Sequence, residues 1–181
     1  HELNNNIDST NEITKVNKFL KRKIQFTYNY EDCKNSNTFI ITVPTPVNKK
    51  NEPDLTNLYN AAEIVAKLIK KGDMVVIEST VYPGVTEELI APYIQKKSNL
   101  KAGLDFNMGY SPERINPGDS KYKITNIKKV VAADNLETLN KLCNIYKKII
   151  KAGIHKVSSI KLAETSKAIE NAQRDINIAF V

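Results

Sequence analysis

Four polar residues near the end of this 181-residue chain, Glu164, Lys167, Asn171 and Arg174, are spaced three, four and three residues apart. At roughly 100° per residue they fall within about 80° of one another on a helical wheel. A carboxylate, an ammonium, an amide and a guanidinium on one stripe can bind an anion and stabilise charge developing on an oxygen. The opposite arc, Leu162, Ala168, Ile169, Ala172, Ile176, Ala179 and Phe180, predicts the face that packs. Upstream stand Pro44-Thr45-Pro46, then Glu78-Ser79-Thr80-Val81-Tyr82-Pro83-Gly84, then Tyr110-Ser111-Pro112-Glu113-Arg114-Ile115-Asn116-Pro117-Gly118. Together these read as the parts of a site for an anionic, sugar-like ligand.

Each part also has a plainer reading. The paired prolines fix loop geometry and aim a Thr hydroxyl, or they make two rigid turns and nothing more. Glu113-Arg114 is a base beside an anion clamp, or a surface pair of little energetic weight. Lys167 is a charge-stabilising ammonium, or a solvated lysine on an amphipathic helix. Set beside Asn171 and Arg174 on one stripe, it gains in functional weight.

The elements that must hold these residues alternate. Glu12 to Leu20 reads as a weak helix and Lys23 to Tyr28 as a short strand of period two. Thr38 to Val43 and Met74 to Ile77 are continuous apolar runs suited to strands buried on both faces. Asp54 caps a helix to about Lys71, and another helix begins near Val85, with amides at its N-terminus able to face an anion. Phe106 to Tyr110 and Lys129 to Ala132 are further strands. Leu136 to Ile150 is a helix, His155 to Val157 a short strand, and Ser158 or Ser159 caps a last helix running to the final residue. The alternation predicts an α/β fold, a partial Rossmann-like and mainly parallel sheet followed by a long helix. In such sheets ligands bind beyond the carboxyl ends of the strands, where the first two loops stand. A pattern ending inside a strong helix predicts a piece of a longer polypeptide.

Composition bounds the rest. A 41% hydrophobic and 26% charged chain suits a globular protein, and no apolar run approaches the ~18 residues of a membrane span; a cytoplasmic location is the default expectation. Two cysteines, Cys33 and Cys143, and two histidines offer no metal-ligand spacing, so no metal is expected. The net charge of +7 raises nucleic-acid binding, but the lysines are scattered in pairs such as Lys70-Lys71 and Lys128-Lys129, mostly at expected helix ends. The charge reads as a solvated face, with no nucleic-acid partner.

The order Thr42-Val43-Pro44-Thr45-Pro46, Glu78 to Gly84, Tyr110 to Asp119, and Glu164-x-x-Lys167-x-x-x-Asn171-x-x-Arg174 resembles the UDP-glucose/GDP-mannose dehydrogenase family. The Ser-Pro-Glu-Arg-Ile-Asn-Pro-Gly form resembles the branch acting on UDP-N-acetylhexosamines, with GlcNAc, GalNAc and ManNAc left open. Family members open with a Gly-x-Gly-Tyr-x-Gly turn and carry a nucleophilic Cys beyond the Lys/Asn helix, plus a UDP-binding domain; this sequence has none of these, and neither Cys33 nor Cys143 matches. The resemblance implies residues 1–157 as an incomplete NAD-binding domain and 158–181 as the start of a central helical domain through which members dimerise. It implies NAD as cofactor, contacted by Thr45 and Thr80, and a UDP-N-acetylhexosamine substrate contacted by Arg114, Ile115, Lys167, Asn171 and Arg174. Glu113 would be the base for hydrolysing a thioester on the missing Cys, Thr80 would organise a water or the C6 oxygen, and Lys167 with Asn171 would stabilise the oxyanion at C6. The implied activity is oxidation of the C6 alcohol to a uronic acid in surface-polysaccharide synthesis, with the isolated segment inactive. The alternatives are a UDP-glucose 6-dehydrogenase segment or a non-catalytic dimerisation module.

Overall fold

The computed structural model describes residues 24–114 and 124–181. The chain divides into two compact units, His1–Asn35 and Ser36–Val181. The expected helix over Glu12 to Leu20 and the Asn116 to Asp119 part of the third loop lie outside the described residues.

In the first unit the expected strand over Lys23 to Tyr28 does not form across residues 24–28; the segment leads instead into one 3-10 turn, Tyr30–Cys33. Local side chains take up the backbone there. Thr27 Oγ1 accepts from Asn29 N at 3.0 Å and donates to Asp32 at 2.6 Å, while Asn29 Oδ1 accepts from Glu31 N at 3.2 Å. Such short-range bonds compete with a ladder, and the alternation of Ile24 and Phe26 alone does not outweigh them.

The second unit is a five-stranded sheet in sequential order: β1 (Thr38–Ile41), β2 (Met74–Ile77), β3 (Asn107–Tyr110), β4 (Lys129–Ala133) and β5 (Ile154–Lys156). The first three strands are parallel, as are β4 and β5, but β3 and β4 pair antiparallel through Gly109↔Ala133 and Tyr110↔Ala132. The sheet is mainly parallel, as expected, and this seam is its one antiparallel pairing among the described residues. An apolar run such as Lys129-Val130-Val131-Ala132 carries burial but no direction, and β4 starts at the end of the sheet where β3 stops. That reversal puts Lys129 at the carboxyl edge of β1, β2 and β3.

Helices cover the sheet. α1 (Thr56–Leu68) buries Leu58, Ala62, Val65 and Ala66 and packs on α2 (Ala91–Ser98), with Tyr59 and Tyr93 edge to face at 5.0 Å. α3 (Leu136–Lys147) lays Leu142, Cys143 and Tyr146 over Met74, Val76 and Val131. Gly109 makes room for this packing: a Cβ there would stand 2.8 Å from Leu142 Cδ2, and the leucine would have to shift. Val75 and Ile77, alternating to the other face, have no exposure either, so β2 is covered on both sides. β1, at the edge of the sheet, ends at Ile41 and buries only Phe39 and Ile41, its Ile40 being exposed against the expectation of burial on both faces. α1 and α3 stop short of the expected Lys71 and Ile150. Asp54 Oδ1 does accept from Thr56 N at 2.9 Å at the start of α1, although the capping position itself is Leu55. The last helix, α4 (Ile160–Phe180), is capped by Ser159, whose Oγ accepts from Leu162 N at 3.2 Å.

Candidate active site

The loops after β1 and β2 are stitched side to side. Ser79 Oγ donates to the Val43 carbonyl at 2.7 Å, Thr45 Oγ1 donates to the Thr80 carbonyl at 2.6 Å, and Asn57 Nδ2 donates to the Pro44 carbonyl at 3.2 Å. Between these loops, the start of the third loop and α4 lies a hollow of about 600 Å³. Thr45, Thr80, Glu113 and Asn171 all line it, joined by Thr42 and Glu78. Four expected site residues from four chain segments therefore meet in one place.

Lys167 and Arg114 stand in the adjoining hollow of about 280 Å³, with Pro112 and Glu170. The two hollows share the Glu113-Arg114 segment and successive turns of α4. Glu170 pairs with a cation on either side: Arg114 Nε is 3.4 Å and Lys167 Nζ 3.8 Å from its Oε2. Lys167 is only 7% exposed, so the solvated-lysine reading is wrong. Burial lowers its pKa from the ordinary lysine value; Arg174 and Arg114 push the same way, and Glu170 and Glu113 oppose them. Arg174 donates through Nη2 to Asn171 Oδ1 at 2.6 Å. With Oδ1 engaged, what Asn171 has to offer a ligand is its Nδ2 amide, a donor. Ile115 lies outside the described residues.

The helix stripe is inverted relative to expectation. Its buried members are Ile160, Ala163, Glu164 and Lys167, whereas Leu162, Ile169, Ile176 and Phe180 of the apolar arc are exposed. Glu164 explains why. Its carboxylate has no exposure and accepts from Gly84 N at 2.6 Å and Thr86 N at 2.9 Å. Those amides begin the turn Val85–Ile90, a π-helical entry into α2, which Gly84 permits by adopting φ +99°. The helix terminus expected to face a ligand anion is thus filled by the chain's own carboxylate, and Glu164 does not line the hollow.

Behind Glu113 stands a group that sequence reasoning missed. Lys129, counted among the solvated lysines, is 5% exposed; its Nζ lies 3.2 Å from Glu78 Oε2, 3.5 Å from Glu113 Oε2 and 3.5 Å from the Pro112 carbonyl. It also sits 5.3 Å from the centre of the Tyr146 ring, and the Tyr146 hydroxyl donates to Glu78 Oε1. Burial, reinforced by the Glu78 charge, pushes the Tyr146 phenol up, so it stays a donor at any working pH. Lys128-Lys129 offered no signal of this, because only the reversal of β4 turns the second lysine inward. Cys143 belongs to the core under α3, and burial pushes its thiol up. Among the described residues no cluster of three or more His, Cys, Asp or Glu could hold a metal.

Polar loops gathered at the carboxyl ends of parallel strands, with a helix crossing them, define a Rossmann-like α/β fold with its candidate site at the strand ends. The sequence model described as UDP-glucose/GDP-mannose dehydrogenase family, NAD binding domain, matches residues 8–150, and the chain belongs to that family. It is 51% identical over 180 residues to Protein CapL of Staphylococcus aureus, across 99% of this chain and 42% of that protein. It is 48% identical over 180 residues to a UDP-N-acetyl-D-glucosamine 6-dehydrogenase of Pseudomonas aeruginosa, across 99% of this chain and 43% of that enzyme. The structure of a UDP-D-ManNAc dehydrogenase from Pyrococcus horikoshii superposes with a TM-score of 0.79 at 34% identity, over 85% of this chain and 36% of that one. The chain spans well under half the length of the curated relatives it matches.

Proposed function

We propose that this chain is the central part of an NAD-dependent UDP-N-acetylhexosamine 6-dehydrogenase, which oxidises the sugar C6 alcohol to a uronic acid for surface polysaccharides. The observation that carries the reading is the meeting of Thr45, Thr80, Glu113 and Asn171 on one hollow, with Lys167 one helical turn from Asn171. The names of the Pseudomonas and Pyrococcus relatives, a UDP-N-acetyl-D-glucosamine 6-dehydrogenase and a UDP-D-ManNAc dehydrogenase, support the substrate branch over UDP-glucose. The division at residue 157, a cytoplasmic location and a homodimer formed through α4 belong to the same reading. Among the described residues no helix is long and apolar enough to cross a membrane.

The donor set fits one end of a dinucleotide. Thr45 and Thr80, fixed by the prolines, suit the nicotinamide end. The helix terminus at Gly84 and Thr86 is taken by Glu164, and the sequence has no Gly-x-Gly-Tyr-x-Gly turn for a diphosphate. NAD, when bound, supplies the hydride acceptor. The chain's own residues handle protons and charge. As the proton leaves the C6 hydroxyl for water ahead of the hydride, negative charge gathers on the C6 oxygen; the Lys167 ammonium and the Asn171 amide donate to it, Arg174 holding Asn171 in that orientation. Glu113 accepts a proton from water in the hydrolytic step. Arg114, Ile115 and Arg174 serve the anionic substrate, with Arg114 exchanging its bond to Glu170 for one to the ligand.

The test is a chimaera in which this chain replaces the matching segment of the Pseudomonas relative. It should form NADH with UDP-GlcNAc in preference to UDP-glucose, while the 181-residue chain alone forms none. Lys167→Ala should cost on the order of 10²-fold in kcat, the usual loss for one preorganised charge-stabilising donor. Near-normal turnover in that variant would remove Lys167 from the reaction.

A further inference from the structure

We propose that Lys129 is a positioning residue that holds Glu113 against the cavity, braced from behind by Glu78 and Tyr146; this rests on the dehydrogenase reading above. Two carboxylates, Glu78 and Glu113, line the same hollow, and unaided they would repel one another. One buried ammonium lies between them, 3.2 Å from the first and 3.5 Å from the second.

The two carboxylates are not equivalent. Glu78 is spent inward: one oxygen takes the Lys129 ammonium, the other the Tyr146 hydroxyl, and its side chain is 14% exposed. Glu113 keeps its side chain 38% exposed, so it is the one with surface for a water or a ligand. Its Oε1 accepts from Arg114 N at 2.6 Å and its Oε2 faces Lys129. Lys129 also reaches the carbonyl of Pro112, the residue just before Glu113, so it restrains both the backbone and the side chain of the base.

The reversal of β4 and the packing of α3 deliver this lysine and tyrosine from outside the loops that carry the chemistry. A buried ammonium is held here by two carboxylates, a carbonyl and an aromatic ring, an arrangement that loses most when one partner is removed. The geometry therefore makes Lys129 the link between the folded core and the orientation of Glu113.

The chimaera described above, carrying Lys129→Met, Lys129→Arg, Glu113→Gln and the Met/Gln double change, tests the proposal. Lys129→Met should lower kcat about tenfold or more, since small misplacements of a catalytic group are costly, with KM for NAD and for the UDP-sugar within about twofold. Lys129→Arg should recover part of the loss, and the double variant should be no slower than Glu113→Gln alone. Unchanged kcat in Lys129→Met, or losses that multiply in the double variant, overturn the proposal. Should the Met variant not fold, Tyr146→Phe replaces it: a lowered kcat that adds nothing to Glu113→Gln supports the brace, and a multiplied loss refutes it. A chimaera that forms no NADH even unaltered would instead sink the dehydrogenase reading. The link is then judged on the 181-residue chain by urea midpoints of the same four variants, coupling between positions 129 and 113 supporting it and strict additivity refuting it.

Discussion

Lys167 spends stability to be where it is. Its ammonium is taken out of water and faces two guanidinium groups, with the Glu170 carboxylate 3.8 Å away. The folded chain therefore releases this proton at lower pH than the unfolded chain does. Below the folded-state pKa both states hold the proton and the full cost of burying the charge is present. Through the window from that pKa up to the ordinary lysine value the unfolded state binds more protons, so this group's contribution to stability improves as pH rises. Lys167→Met removes the term. Its advantage over the unaltered chain in urea midpoint should be largest near neutral pH and shrink toward pH 10. A difference that stays flat over that range would show that burial does not set the protonation of Lys167. The same window bears on catalysis, because only the protonated form can stabilise an oxyanion, and a residue strained for a task in this way is where stability and activity trade against each other.

At the scale of elements, α4 is registered by one carboxylate. Glu164 holds the amides of Gly84 and Thr86, and the residues three and seven places further along are Lys167 and Asn171. The loop after β2, which carries Thr80, is thereby tied to the helix that carries the charge-stabilising pair. Hydrogen bonds to a charged acceptor contribute about 1.5–3 kcal/mol each, so Glu164→Ala should speed hydrogen exchange at the Gly84 and Thr86 amides by at least about tenfold. Glu164→Gln, keeping one acceptor oxygen, should fall between; unchanged protection at both amides in the Ala variant would break the registration argument. The same contact explains what the sequence could and could not disclose. The strands opening at Thr38 and Met74, a serine cap at 158 or 159 and the rigid loops were legible because their causes are local: β-branched apolar residues, a hydroxyl at a helix start, paired prolines. The face that α4 buries was not legible, because Glu164 finds its partners 80 and 78 residues away. Hydrophobic periodicity assigned the polar stripe to the open side, and a long-range carboxylate–amide contact decided otherwise. Lys129 was hidden for the same reason, its burial being settled by the direction of β4 rather than by its neighbours in sequence.

At the scale of the molecule, the inversion of α4 leaves an apolar face to account for. Leu162, Ile169, Ile176 and Phe180 are 50, 61, 61 and 90% exposed along one 21-residue helix, about 30 Å of length. In the proposed dimer a second copy of this helix covers that face. One helix pair buries less than the roughly 1,200–2,000 Å² of a stable interface, so the chain alone should associate weakly and the complete enzyme more tightly. In sedimentation velocity the 181-residue chain should show a concentration-dependent dimer at tens of micromolar, on the order of a −6 to −7 kcal/mol association. Ile169→Glu with Ile176→Glu should abolish it without lowering the unfolding midpoint, because both side chains are already in water in the monomer. The two outcomes separate cleanly. A chain that stays monomeric at every concentration removes α4 from the interface, whereas a dimer that survives both glutamates places the contact on some other surface.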